Sequence, residues 1–81
     1  MDTWYIYIIE TKNKKLYTGI TKDVEARFQK HLEGGGAKFF RTDPPSKVVY
    51  TERVESKSSA LKREIAIKKL SKTKKLELIK D

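Results

Sequence analysis

Residues Trp4 to Ile9 read WYIYII, six consecutive β-branched or aromatic side chains with no charge, glycine or proline among them. Alternate side chains of a strand point to opposite faces, and here neither set is polar, so the run fits a strand covered on both sides. It predicts the central strand of a small sheet, with Trp4, Ile6 and Ile8 on one face and Tyr5, Tyr7 and Ile9 on the other. The chain has 81 residues. A chain of that length buries only about 60% of the surface its unfolded form exposes, which leaves room for one compact core.

The polar stretch Thr11 to Lys14 reads as a hairpin turn with Asn13 able to take a positive φ, and Leu16 to Ile20 (LYTGI) as the returning strand, which brings Tyr17 toward Tyr7. Gly19 ends the alternation and points to a bulge or a close approach of the backbone to another group. Thr21 or Asp23 caps a helix that runs to about Glu33 and stops at Gly34, Gly35 and Gly36. Its apolar stripe is Val24, Phe28 and Leu32; Arg27 and His31 border that stripe on one edge and point together. Ala37 to Arg41 (AKFFR) and the Pro44-Pro45 pair read as an irregular basic loop. Phe39 and Phe40 are too apolar for it to be freely solvated, so it packs down or meets a ligand.

Lys47 to Val54 alternates as a third strand. Ser56, Ser58 and Ser59 offer caps for a helix over Ala60 to Leu70, whose apolar arc takes in Leu61, Ile65 and Ile67 and also holds Glu64. Ser71 or Thr73 caps a final short helix carrying Leu76, Leu78 and Ile79. The predicted fold class is α+β, a small three-stranded, largely antiparallel sheet flanked by helices in the order β-β-α-β-α-α, as one domain over residues 1–81.

Charge narrows the partner. Lys and Arg number 19 against 11 Asp and Glu, for a net charge of +8. Residues 62–81 hold a large share of that excess, and a concentration of this kind suits a polyanion, because each phosphate neutralised releases a counterion. A lysine-rich helix that merely keeps a small protein in solution stands beside that reading. There is no cysteine and one histidine, which excludes a disulfide framework, a thiolate zinc site and a thiol nucleophile, so any metal sits on oxygen. No apolar run approaches the roughly 18 residues of a membrane span, and no signal peptide is legible. The expectation is a soluble, cytoplasmic protein without a membrane partner.

Three groups of residues bear on chemistry. Glu64 points toward the core, where an ionised carboxylate is costly unless paired; Lys68 at i+4 is one partner, and a hydrated Mg²⁺ held by a single carboxylate is the other. Arg27 with His31 is either a phosphate-handling pair or a snorkelling edge arginine beside a satisfied histidine. Tyr7 and Tyr17 are core aromatics or a base. An ordinary phenol is ionised about one part in a thousand at neutral pH, a deficit of roughly 4 kcal/mol that nearby positive charge would reduce.

YIY at Tyr5 to Tyr7, nine residues, YTG at Tyr17 to Gly19, Arg27 and His31 four apart, then Glu64: this order resembles the GIY-YIG endonuclease superfamily, in particular its small single-domain bacterial branch. The R-x-x-x-H element and the glycine-rich segment before A-K-F-F-R are similar to the nuclease domain of the eukaryotic structure-selective junction endonuclease. The match covers nearly the whole chain. The resemblance implies metal-dependent hydrolysis of a phosphodiester. Tyr7 would deprotonate the attacking water with help from His31, Tyr17 would position water or phosphate, and Arg27 would neutralise the transition state. Glu64 would hold one Mg²⁺ or Mn²⁺ beside the leaving 3′ oxygen, and Gly19 would let the backbone come close.

Two family positions are substituted, by Tyr5 and Thr18, without loss of a reacting group. The family's asparagine near the C-terminal helix has no counterpart, since Asn13 in the turn is the only asparagine. The expected function is a divalent-metal-dependent DNA endonuclease of repair, recombination or processing. Lys38, Arg41, Lys68, Lys69 and Lys72, together with Gly19, would hold the DNA, with branched or flapped forms among the substrates and a protein partner supplying specificity. The rival is a basic nucleic-acid-binding module on the same scaffold that does not cut. A structural role at a membrane surface is a distant third and predicts binding to anionic lipid.

Overall fold

The computed structural model describes residues 3–80; Met1, Asp2 and Asp81, at the ends of the expected 1–81 domain, lie outside them. The elements are β1 (Trp4–Thr11), β2 (Leu16–Thr21), α1 (Val24–Leu32), α2 (Phe39–Thr42), β3 (Pro45–Val54), α3 (Lys57–Lys68) and α4 (Lys72–Lys80). The strands lie in the order β2-β1-β3 and both pairings are antiparallel, so the WYIYII run is the central strand. The fold is α+β in the expected order, with one short helix added.

The two faces of β1 build two cores. Ile6 and Ile8 are fully buried against Ala60 and Ile67 of α3, with Trp4, Leu16, Ile20, Leu78 and Ile79 around them. On the other face Tyr7 and Ile9 pack with Phe40 of α2, joined by Tyr17, Val24, Phe28 and Val48. Each buried isoleucine contributes about 1.5–3 kcal/mol, so β1 is the main source of stability in the sheet. Helices α3 and α4 therefore cover one face while α1 and α2 cover the other, and β2 forms one edge of the sheet.

Several local expectations are corrected. The positive φ in the hairpin belongs to Lys14, at 66°, and not to Asn13. Asn13 instead gives its backbone N–H and its amide to Asp43 Oδ1 (3.2 and 2.9 Å), while Thr11 Oγ1 donates to Asp43 Oδ2 at 2.6 Å. The turn is thus clamped to the segment before β3, a contact that turn chemistry alone does not foretell. The Ala37 to Arg41 loop contains the short helix α2, because burying Phe40 against Tyr17 and His31 fixes its backbone. Strand β3 begins at Pro45, not Lys47, as Pro45 pairs with Thr11 at the end of the ladder, a position where proline's missing N–H is tolerated.

Asp23 caps α1 by accepting from the Ala26 N–H, and Ser56 caps α3, which starts at Lys57, three residues earlier than expected, and ends at Lys68. Its apolar arc is narrower than the periodicity implied. Ala60 and Ile67 are buried, but Leu61 and Ile65 are exposed. Leu32, read as part of the α1 stripe, is 49% exposed, because the helix turns a different residue inward. Among the described residues no helix is long and apolar enough to cross a membrane.

Candidate active site

The residue that α1 turns inward is His31, 3% exposed, whereas Val24 and Phe28 are only half-buried. A buried imidazole needs partners for both ring nitrogens. Nε2 lies 3.0 Å from Tyr7 Oη, and Nδ1 accepts the Ala37 backbone N–H at 3.3 Å. A backbone N–H can only donate, so Nδ1 carries the lone pair and the proton of the neutral ring sits on Nε2, which donates to the Tyr7 oxygen. Burial and the adjacent Arg27 guanidinium both hold the His31 pKa below its ordinary value, so the neutral ring is the native form.

The glycine run makes this possible. After α1 the Gly34 and Gly35 N–H groups fold back onto the His31 and Lys30 carbonyls, and the chain then crosses the imidazole. A Cβ on Gly36 would overlap His31 Nδ1. Gly36 is therefore a glycine because the backbone and the ring share that space.

Tyr7 is opposite Gly19 in the β1–β2 register. Its ring lies across that glycine, and a Cβ there would fall 2.5 Å from Tyr7 Oη. The missing side chain lets the phenol, 1% exposed, reach over the edge strand. Burial pushes the phenol well above the usual tyrosine range, and the nearby Tyr17 and Glu64 push it the same way. Arg27 pulls it down through its charge and a hydrogen bond. Tyr7 in the free protein is thus a neutral phenol whose oxygen accepts from His31, leaving its own proton to point elsewhere.

Tyr17 completes a ring cluster, with centroids 6.3 Å from Tyr7, 5.6 Å from His31 and 4.9 Å from Phe40. Glu64 arrives from the other face of the sheet. Its side chain is 16% exposed and Lys68 Nζ stands 3.3 Å from Oε2, so the i+4 pairing weighed from sequence is present. Helix α3 is fixed in place by Arg63, which donates from Nε to both carboxylate oxygens of Glu52 (3.1 and 2.8 Å), while the Tyr50 hydroxyl donates to Oε1 at 2.6 Å. That network holds the residue next to Glu64.

Tyr7, on the central strand, links these residues: it is hydrogen-bonded to His31, its ring lies beside Tyr17 and over Gly19, and it feels the charges of Arg27 and Glu64. Lys38, Arg41, Lys68, Lys69 and Lys72 are all exposed. Of these, Lys68 is paired to the site carboxylate and Lys72 donates to the Lys14 carbonyl at 2.9 Å. Lys38 and Arg41 flank or belong to α2, beside the ring cluster, and Lys69 follows the end of α3. Pattern reading missed Gly36 and Ala37, although a glycine run soon after a histidine bordering the apolar stripe was a usable signal. It also missed Asp43 and the Tyr50–Glu52–Arg63 network, which depend on contacts distant in sequence.

Among the described residues no three His, Asp or Glu side chains cluster as a metal cage. Glu64 would be the one protein ligand of a cation here, with water for the rest, a donor set that would suit Mg²⁺ and, by the same oxygen preference, Mn²⁺. An ion on this carboxylate would take the place now held by the Lys68 ammonium, 3.3 Å from Oε2 on a side chain that is 53% exposed and free to swing away.

Strand order β2-β1-β3 with helices on both faces defines a small α+β domain. Residues 3–77 match the family model described as the GIY-YIG catalytic domain. The chain belongs to that family and, within it, to the UPF0213 proteins. It is 49% identical to a UPF0213 protein of Staphylococcus saprophyticus and 48% identical to one of Staphylococcus aureus, in each case over 81 residues that span 100% of this chain and 99% of the relative. The solution NMR structure of a UPF0213 protein from Bacillus halodurans superposes with a TM-score of 0.62 at 41% identity, covering 96% of this chain and 83% of that one. The family carries a nuclease-type function, a nucleic-acid substrate and the general use of a divalent metal.

Proposed function

We propose that the protein is an endonuclease that hydrolyses DNA phosphodiester bonds with one Mg²⁺ or Mn²⁺ ion. The observation that carries this reading is the hydrogen-bonded Tyr7–His31 pair, with Arg27 and Glu64 both acting on the same phenol. Tyr7, as the phenolate, takes a proton from the attacking water. The Nε2–H of His31 and the Arg27 guanidinium hold the oxygen while it is negative. The exposed Arg27 also meets the charge that develops on the phosphate, and Tyr17, beside both rings, orients water or phosphate. Glu64 would hold the hydrated ion, which would supply positive charge to offset that developing on the leaving oxygen.

The supporting logic is electrostatic. Burial and the Glu64 charge keep Tyr7 protonated in the free protein, so its basic form gains population where that charge is offset. The rate is expected to rise with pH, close to tenfold per unit, while the phenolate is scarce.

One observation favours the binding-only scaffold. Glu64 is already paired with Lys68. Cleavage of end-labelled linear, flapped and branched DNA with Mg²⁺ or Mn²⁺, run beside Glu64→Gln, Tyr7→Phe and an EDTA control, separates the two. Metal-dependent cutting lost in both variants supports the nuclease. Tight binding without cutting under either metal supports the scaffold, and equal cutting by all three proteins removes these residues from the mechanism.

A further inference from the structure

Beyond the ring cluster, Phe39 remains 39% exposed at the start of α2. It is held from below, with its ring 5.5 Å from Tyr17 and 5.5 Å from Phe40, nearly perpendicular to the latter. Its open side faces a recess of about 280 Å³ lined also by Lys15, Leu16, Lys72 and Lys75. That volume lies below the usual size of a small-molecule pocket, about 300 Å³ and upward, and the lining contains three ammonium groups and no carboxylate. Lys72 spends one N–H on the Lys14 carbonyl, which ties α4 to the hairpin and leaves its other donors free.

An aromatic face fixed among lysines, with one apolar wall, matches a single nucleobase with phosphates on either side. A duplex does not offer that ligand, because its bases stay stacked in the helix; only an unpaired base can lie flat on a ring. The lysines neutralise backbone phosphates without reading sequence. Phe39 also touches Tyr17, so a nucleotide seated here is next to the ring cluster.

We propose that this recess is a stacking subsite for one unpaired nucleotide, with Phe39 as the platform and Lys15, Lys72 and Lys75 on the flanking phosphates. The inference rests on the nucleic-acid-cleaving reading for its position next to the reacting phosphate, but its test does not use cleavage.

The test is equilibrium binding in EDTA of a labelled single-stranded oligothymidylate of about ten nucleotides, within the site size of such grooves, and of a blunt duplex of equal length. Phe39→Leu, which keeps an apolar side chain and removes the ring face, is expected to weaken single-strand binding about tenfold and to leave duplex binding within about twofold; Phe39→Tyr restores the single-strand affinity. Lys75→Ala weakens both ligands and lowers the salt slope by about one. An unchanged single-strand affinity in Phe39→Leu overturns the subsite, and so does an equal loss on both ligands.

Should that variant fail to fold, 2-aminopurine placed along the strand keeps the test with the native protein. Quenching at one position supports stacking, and no quenching at any position overturns it. An oligouridylate arm shows whether the base is accepted on an RNA backbone. Loss of the nuclease reading would appear as no cleavage with the binding pattern intact. Loss of the subsite would appear as cleavage without the Phe39 effect.

Discussion

Two protons decide the behaviour of the site. His31 is buried neutral, and its pKa is held below the ordinary value of 6.5. The unfolded chain takes up a proton at about 6.5 and the folded chain resists it, so below that pH the unfolded state holds the extra proton. His31 therefore contributes stability that is complete above about pH 6.5 and is lost as the pH falls toward its native value. Urea midpoints measured between about pH 7 and pH 5 are expected to drop more for the wild type than for His31→Gln. Gly36→Ala displaces the same ring, and cleavage is expected to fall as far as in His31→Ala. Tyr7 is shifted in the other sense, upward. In a spectrophotometric titration at alkaline pH, Tyr7→Phe is expected to remove a component of the absorbance change that lies above the ordinary tyrosine range. A Tyr7→Phe titration curve that loses its early part instead would contradict the buried phenol.

At the level of elements, the sheet and its two faces were legible because the WYIYII run leaves β1 no solvent-facing side. The hairpin then placed Tyr17 and Gly19 near Tyr7 with little freedom. What pattern reading could not supply was the rotation of each helix about its own axis. In α1 the periodicity favours Val24, Phe28 and Leu32, yet the Tyr7 and Ala37 hydrogen bonds draw His31 inward and leave Leu32 in solvent. In α3 the Glu52–Arg63 pair and the small Ala60 set a rotation that exposes Leu61 and Ile65. Helix α2 has no side-chain cap and exists through Phe40 burial, a tertiary effect. Strand β2 carries a flaw of its own. The Thr18 hydroxyl is buried and finds no hydrogen-bond partner among the described residues. Replacing it by the isosteric Thr18→Val removes a desolvated donor, and the variant is expected to gain about 1 kcal/mol, raising the melting temperature by about 4–8 °C for a domain of this size. A lower melting temperature would show that the hydroxyl has a partner in solution.

For the whole molecule the +8 charge sets how it meets nucleic acid. Affinity is expected to fall linearly in log salt, with a slope of about −0.7 for each phosphate of a single strand that is neutralised and about −0.9 for each in a duplex. Filter binding across about 50 to 200 mM salt measures that slope, and a flat line would mean the lysines of α3 and α4 serve solubility alone. The lysines themselves were legible as a basic end. Their grouping with Phe39 was not, since Lys15, Lys72 and Lys75 lie on segments far apart in sequence that meet only when α4 docks on the hairpin.

The shared space at Gly36 and His31 also has an evolutionary side. Neither position can drift alone. A side chain at 36 evicts the imidazole, whereas loss of the imidazole opens a hole that a side chain at 36 is free to fill. Across the family the two sites should therefore change as a pair. A chain that keeps the histidine but has gained a β-carbon at the matching glycine has rerouted the segment after α1, and the two substitutions together flag a member that has given up the tyrosine–imidazole contact.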